Sequence, residues 1–125
     1  MGKRILPADD NPVNAEVTTV LLQQLGYEVE CAYDGEEAVE IAEEEGPFDI
    51  VILDCKMPIL DGYQACEKIR GLEPYKSTPI IALSGNDSET HEERANEVGM
   101  NDFLVKPVLL ETLKTMMNKW INSDV

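Results

Sequence analysis

Two segments restrict the fold of this chain more than any others: Asp49-Ile50-Val51-Ile52-Leu53 and Pro79-Ile80-Ile81-Ala82-Leu83. Both are short, apolar and rich in β-branched residues. Neither shows the polar alternation of a strand that keeps one face in water. Such runs read as strands covered on both sides, the environment of a parallel sheet with helices on its two faces.

The flanking sequence supplies matching parts. Arg4 to Ala8 reads as a further buried strand, ended by Asp9, Asp10 and Asn11. Tyr27 to Ala32 alternates as a second strand, and Asp102 to Val105 forms a fifth. Between them lie helical patterns. Asn11 caps and Pro12 opens a helix with Val13, Val17, Val20, Leu21 and Leu25 at helical spacing, stopped by Gly26. Asp34 caps a second with Ala38, Val39, Ile41 and Ala42, ended by Gly46-Pro47. A third carries Tyr63, Cys66, Ile69 and Leu72. A very polar fourth runs from a cap at Asp87 or Ser88 to Gly99, and the last uses Leu110, Leu113, Met117 and Trp120. Five strands alternating with five helices predict an α/β domain with one parallel sheet, filling residues 1–125. Pro7 is discordant. It lacks a ladder donor in a strand that should be central, so a missing hydrogen bond or a bulge beside Asp9 is expected.

Charge and composition exclude several functions. The formal net charge is −15, and a surface so acidic repels a phosphate backbone, so direct nucleic-acid binding is not expected. No apolar run approaches a membrane span, and Lys3-Arg4 is followed by too short an apolar stretch for a signal peptide. A cytoplasmic home is the default expectation. Cys31, Cys55 and Cys66 have no metal-type spacing and read as reduced thiols packed as small hydrophobes.

In a parallel α/β sheet, ligands collect beyond the carboxyl ends of the strands. Here the reactive residue types stand at those ends. Asp9 and Asp10 follow the first strand, Asp54 the third, Ser84 the fourth and Lys106 the fifth. Three carboxylates converging in one crevice stay ionised only beside a cation. Hard oxygen ligands favour magnesium over zinc. Lys106 adds a second positive charge and Ser84 a hydroxyl donor. One half of the site therefore suits a metal and the other an anion, as an incoming phosphoryl group requires. One carboxylate can then act as nucleophile and form an acyl phosphate.

These residues sit in four motifs: Asp9-Asp10-Asn11-Pro12-Val13-Asn14, Leu53-Asp54-Cys55-Lys56-Met57-Pro58 with Asp61-Gly62, Ala82-Leu83-Ser84-Gly85, and Phe103-Leu104-Val105-Lys106-Pro107. Together they resemble the receiver domain of two-component response regulators over essentially the whole chain. The Asn11 to Asn14 run is similar to receivers attached to hybrid histidine kinases. The resemblance implies a flavodoxin-like doubly wound sheet of strand order 2-1-3-4-5. It implies Asp54 as phosphoacceptor, Mg2+ held by Asp10, Asp9, Asp54 and the backbone carbonyl of Lys56, and Lys106 paired with Asp54 and the phosphoryl group. It also implies a cis Lys106-Pro107 bond, and a switch in which Ser84 moves to the phosphoryl oxygen while Phe103 swings inward behind it. The donor would be a histidine kinase or a histidine phosphotransfer protein. Docking would fall on the first helix, with Val13 and Val17, and on the Lys106-Pro107-Val108 loop. Such a protein is a signalling switch that promotes its own phosphorylation and dephosphorylation, and homodimer formation on activation is a further expectation.

Three rivals fit less well. Aspartyl phosphatases of another α/β fold resemble a pattern with a second acid two residues after the nucleophile, where this chain has Lys56. A flavin or nucleotide carrier needs Gly, Ser or Thr after the first strand, where this chain has Asp9 and Asp10. A receiver that binds a partner without being phosphorylated would lack some key residue types. All are present, and only Pro7 speaks for that reading.

Overall fold

The computed structural model describes residues 3–85, 92–106 and 108–121. Strands and helices alternate: β1 (Arg4–Ala8), α1 (Pro12–Gln24), β2 (Glu28–Val29), α2 (Gly35–Glu45), β3 (Ile50–Asp54), α3 (Gly62–Arg70), a short 3-10 turn (Glu73–Tyr75), β4 (Ile80–Ser84), α4 (Glu92–Val98), β5 (Asp102–Val105) and α5 (Leu110–Ile121). All five strands are parallel, in the order β2-β1-β3-β4-β5. This is the doubly wound arrangement expected. The residues expected to cap α4, Asp87 and Ser88, lie outside the described residues.

The two apolar runs become β3 and β4, buried at every position. Successive side chains alternate across the sheet and build two cores. Ile50 and Ile52 meet Ile5, Ile81, Leu83 and Leu104 under α1 and α5. Val51 and Leu53 meet Leu6, Ile80 and Ala82 under α2, α3 and α4.

The apolar spacing of α1 did not say which side turns inward. Its N-terminus is as expected, with Asn11 Oδ1 accepting from the Val13 and Asn14 N–H groups and Pro12 in the first turn. The residues it buries, however, are Ala15, Thr18 and Leu22, while Val13, Val17 and Val20 are 69%, 46% and 42% exposed. The helix has two apolar stripes, and the one with the small side chains lets its axis approach the sheet. Leu110 of α5 is likewise more exposed than its spacing suggested.

Pro7 does remove a hydrogen bond, but at the edge of the sheet. The Glu28, Glu30 and Ala32 N–H groups donate to the Lys3, Ile5 and Pro7 carbonyls, and the Asp9 N–H donates back to Ala32. Pro7 interrupts that row toward β2, which spans only Glu28–Val29 before a lone bridge between Ala8 and Ala32. The strand expected over Tyr27 to Ala32 is shortened accordingly. No bulge forms, since β1 keeps continuous register with β3 from Ile5–Ile50 to Ala8–Leu53.

Candidate functional site

β1, β3, β4 and β5 end at one edge of the sheet and deliver the expected residues there. The two-residue period of the strands carries Asp54, beyond Ile50 and Ile52, to the α1–α5 side. Asp9 and Lys106 keep the same parity with Ile5 and Leu104. Cys55 takes the opposite face and is buried in the core under α2 and α3, turned away from the cluster. Cys31, Cys55 and Cys66 are all free thiols, and burial pushes each of them up.

Asp9 and Asp54 are 2% and 3% exposed, whereas Asp10 faces solvent. One carboxylate oxygen of each lies within 4.8 Å of the other two. The two buried carboxylates are held alike. Asp9 Oδ1 accepts from the Asn11 N–H at 2.9 Å, and Asp54 Oδ1 accepts from the Lys56 N–H at 3.2 Å. The other oxygens face Lys106, whose Nζ donates to Asp54 Oδ2 at 2.8 Å and lies 3.3 Å from Asp9 Oδ2. Burial raises the Asp54 carboxyl from 3.8 to about 6, against the Lys106 and Lys56 hydrogen bonds that favour its ionised form. Burial alone would lower Lys106, but the two carboxylates outweigh it and hold the ammonium charged.

One lysine cannot neutralise three acids, and Asp9 Oδ2 is buried without a hydrogen bond among the described residues. The donor set is entirely hard oxygen. It fits a divalent cation of the magnesium type, held by Asp9, Asp10 and Asp54.

Ser84 closes β4. Its hydroxyl is buried and makes no hydrogen bond among the described residues. Its carbonyl accepts from the Lys106 N–H at 2.7 Å, which ties the two strand ends together. Phe103 is half-buried on β5 against the core under α2, α3 and α4. The side chain of Lys56 is exposed. The cis bond expected at Lys106-Pro107 involves Pro107, which lies outside the described residues.

Two residues matter here that sequence reasoning gave no role. A side chain on Gly62 would run into the Asp54 carbonyl, and the Gly62 N–H donates to the Cys55 carbonyl at 3.2 Å. Only glycine lets α3 begin this close to the phosphoacceptor candidate. Asp61 fixes the same turn through a reciprocal capping box with Gln64. The other residue is Arg70, whose guanidinium donates to the carbonyls of Tyr75, Thr78 and Gly99 and to Asn101 Oδ1. The Asp61-Gly62 pair stood in the sequence as part of a motif, with no sign of a close approach. An isolated arginine on a polar helix face carried no signal.

Comparison with known proteins places this geometry. The chain is 39% identical over 123 residues to the hybrid signal transduction protein dokA of Dictyostelium discoideum, covering 98% of this chain and 7% of that protein. It thus spans a small fraction of its curated relatives. Among solved structures, it resembles the receiver domain of the sensor histidine kinase PA1611 of Pseudomonas aeruginosa, with a TM-score of 0.89, 40% identity and coverage of 98% and 99% of the two chains; that structure has a magnesium ion coordinated in the active-site cleft. It also resembles the receiver domain of Ssk1 of Saccharomyces cerevisiae, in complex with the histidine phosphotransfer protein Ypd1, with a TM-score of 0.87, 27% identity and coverage of 98% and 91%. No described helix is long and apolar enough to cross a membrane. Residues 5–118 match the response regulator receiver domain, and the chain belongs to that family.

Proposed function

We propose that residues 1–125 act as one receiver unit in a phosphorelay, with Asp54 accepting a phosphoryl group from a phosphohistidine in a magnesium-dependent reaction and the domain then switching conformation. The observation that carries this reading is the pair of buried carboxylates, Asp9 and Asp54, sharing Lys106 beside a third acid. A structural ion pair needs two of these groups. Four at one sheet edge, with an unsatisfied buried oxygen, fit an ion and an incoming phosphoryl group.

Magnesium, when bound by Asp9, Asp10, Asp54 and the Lys56 carbonyl, supplies positive charge against the transferring oxygens. The chain's own residues do the rest. The Lys56 N–H fixes the Asp54 carboxylate and leaves its other oxygen toward Lys106. That oxygen forms the bond to phosphorus as the bond from phosphorus to the imidazole nitrogen breaks, the nitrogen keeping the electron pair. Lys106, held charged, then neutralises the acyl phosphate. The Ser84 hydroxyl is free to donate to a phosphoryl oxygen, and Phe103 behind it is the packing element that responds.

The donor is a histidine kinase or a histidine phosphotransfer protein. The face of α1 opposite the sheet supports this, because Val13, Val17 and Val20 present an uncharged apolar stripe on a very acidic molecule. Val108 and Lys106 border it across a small cleft shared with Val17 and Asp9. The same site would return the phosphoryl group to water or to a second histidine, so the domain is a switch that turns over its own modification.

Intact mass spectrometry after incubation with acetyl phosphate, with and without magnesium, tests the reading. A magnesium-dependent gain of one phosphoryl group, absent in Asp54→Asn, is expected. No gain in the unaltered chain would refute it.

A further inference from the structure

The segment that enters α2 stands between the two sides of the candidate cation site. On one side it is tied to the end of β1. The Ala32 N–H donates to the Pro7 carbonyl at 2.9 Å, and the Asp9 N–H donates back to the Ala32 carbonyl at 3.1 Å. Asp34 Oδ1 then accepts from the Glu37 N–H at 2.7 Å, and Glu37 Oε1 accepts from the Tyr33 N–H at 2.6 Å. These bonds fix the first turn of α2 to the strand that delivers Asp9. On the other side the same turn meets the loop that follows Asp54. Gly35 is buried there against Leu60. A side chain on Gly35 would overlap the Leu60 carbonyl and stand 2.9 Å from the Leu60 Cβ. The approach is therefore open to glycine alone.

The loop that Leu60 belongs to has little slack. Its ends meet where the Gly62 N–H donates to the Cys55 carbonyl at 3.2 Å. Lys56 sits within it between two buried residues, Cys55 and Met57. At its apex the Leu60 N–H donates to the Pro58 carbonyl at 2.7 Å, across Ile59, whose φ is +72. A three-residue turn of this kind lies in the left-handed region, which a β-branched residue occupies only at a cost. The Ile59 side chain is exposed, so its own packing does not hold the turn. Such a conformation persists where the surroundings dictate the backbone. Here Leu60, the next residue, is seated on Gly35.

We propose that Gly35 is a positioning residue for the cation site: the first turn of α2 is the stop on which Leu60 rests, and it sets where the Lys56 carbonyl stands relative to Asp9, Asp10 and Asp54. The proposal deepens the reading of that cluster as a magnesium site and rests on it. The ligand atoms come from two separate pieces of chain, the end of β1 and the loop after β3. The segment from Ala32 to Gly35 is bonded to the first and in contact with the second, so it acts as a spacer between them. Magnesium tolerates little departure from its short ligand distances, and residues that orient its ligands matter almost as much as the ligands. Ile59 carries the strain of a loop shaped by this stop.

The test is a magnesium titration of carbon-13-labelled protein, followed at the Lys56 carbonyl and at the Asp54 carboxyl carbon. In the unaltered chain both signals should move together. In Gly35→Ala the dissociation constant should rise by about 10- to 100-fold. At saturation the Lys56 signal should move by less than in the unaltered chain, while the Asp54 signal keeps its full shift. A merely structural loss would leave both shifts whole. Ile59→Pro supplies a second route, because proline cannot take a positive φ and the exposed loop tolerates the change without the fold failing. It should weaken magnesium binding by a similar factor, and it decides the matter if Gly35→Ala does not fold. Ile59→Gly, which takes φ +72 without strain, should lose less affinity than Ile59→Pro by about tenfold. An unchanged dissociation constant in Gly35→Ala, a full Lys56 shift at saturation, or equal losses in the two Ile59 variants would each overturn the proposal and leave the magnesium site standing. No shift in the unaltered chain would overturn the magnesium reading, and the positioning role with it.

Discussion

Asp54→Asn should make the metal-free domain more stable, although it removes one partner of an ion pair. The folded chain raises the Asp54 carboxyl from 3.8 to about 6, chiefly by burial. A group whose folded value lies above its unfolded value binds its proton more tightly when folded, so its contribution is intact below pH 3.8 and lost as pH rises toward 6. At about 1.4 kcal/mol for each tenfold change in proton affinity, keeping Asp54 ionised above pH 6 costs about 3 kcal/mol. Its side chain is 5% exposed, so water screens little of this. Asparagine has nearly the shape of the protonated acid and escapes the cost, and Lys106 keeps Asp9 at 3.3 Å as a counter-charge. Urea unfolding in EDTA should therefore place Asp54→Asn about 2–3 kcal/mol above the unaltered chain at pH 7.5, and the gap should shrink to about half at pH 5.0. Magnesium should narrow the gap at pH 7.5, because a cation that binds the folded acid cluster stabilises the unaltered chain more. A variant that is less stable at pH 7.5, or a gap that does not change with pH, would refute the reasoning.

Three other perturbations separate framework from function. Arg70→Met should cost about 2–4 kcal/mol in urea unfolding, since the carbonyls of Tyr75, Thr78 and Gly99 lose a charged donor at once. Pro7→Val should return an N–H toward the Glu30 carbonyl and slow amide exchange over residues 30–32, with a net stability gain of only about 0.5 kcal/mol because proline's restriction of the unfolded chain is given up. Val17→Glu, on the exposed face of α1, should change stability by less than about 0.5 kcal/mol. It should leave labelling by acetyl phosphate unchanged and slow transfer from a phosphohistidine protein by about tenfold or more. Equal loss with both donors would remove α1 from the docking face.

The legible part of this protein is its strands. β3 and β4 are unmistakable because both of their faces are apolar, and a strand with sharp ends fixes the residue that follows it. That is why Asp9, Asp54, Ser84 and Lys106 could be brought to one edge from sequence alone, and why parity explains Cys55 lying next to Asp54 yet facing the other core. Arg70 was not legible. Its partners are backbone carbonyls on three later segments, and a carbonyl looks the same in every sequence. The short β2 was partly legible, because Pro7 announced a lost donor without saying which neighbour would lose it. Strand parity answers that once the order of the sheet is known.

The orientation of α1 is the most instructive. Periodicity finds apolar stripes but cannot say which one a helix turns inward when it has two. Here the spacing grouped the valines with Leu21 and Leu25, while Ala15, Thr18 and Leu22 are what the sheet covers. The deciding quantity is side-chain size, since Ala15 and Thr18 let the helix axis come close to β1 and the valines would hold it away. A helix that spends its small residues on the fold and leaves β-branched apolar ones in water gains nothing for its own stability from the outer stripe. Those valines are therefore better accounted for by something that covers them from outside. Val17 lies beside Asp9 and Lys106, which puts that cover where the proposed phosphoryl donor would stand.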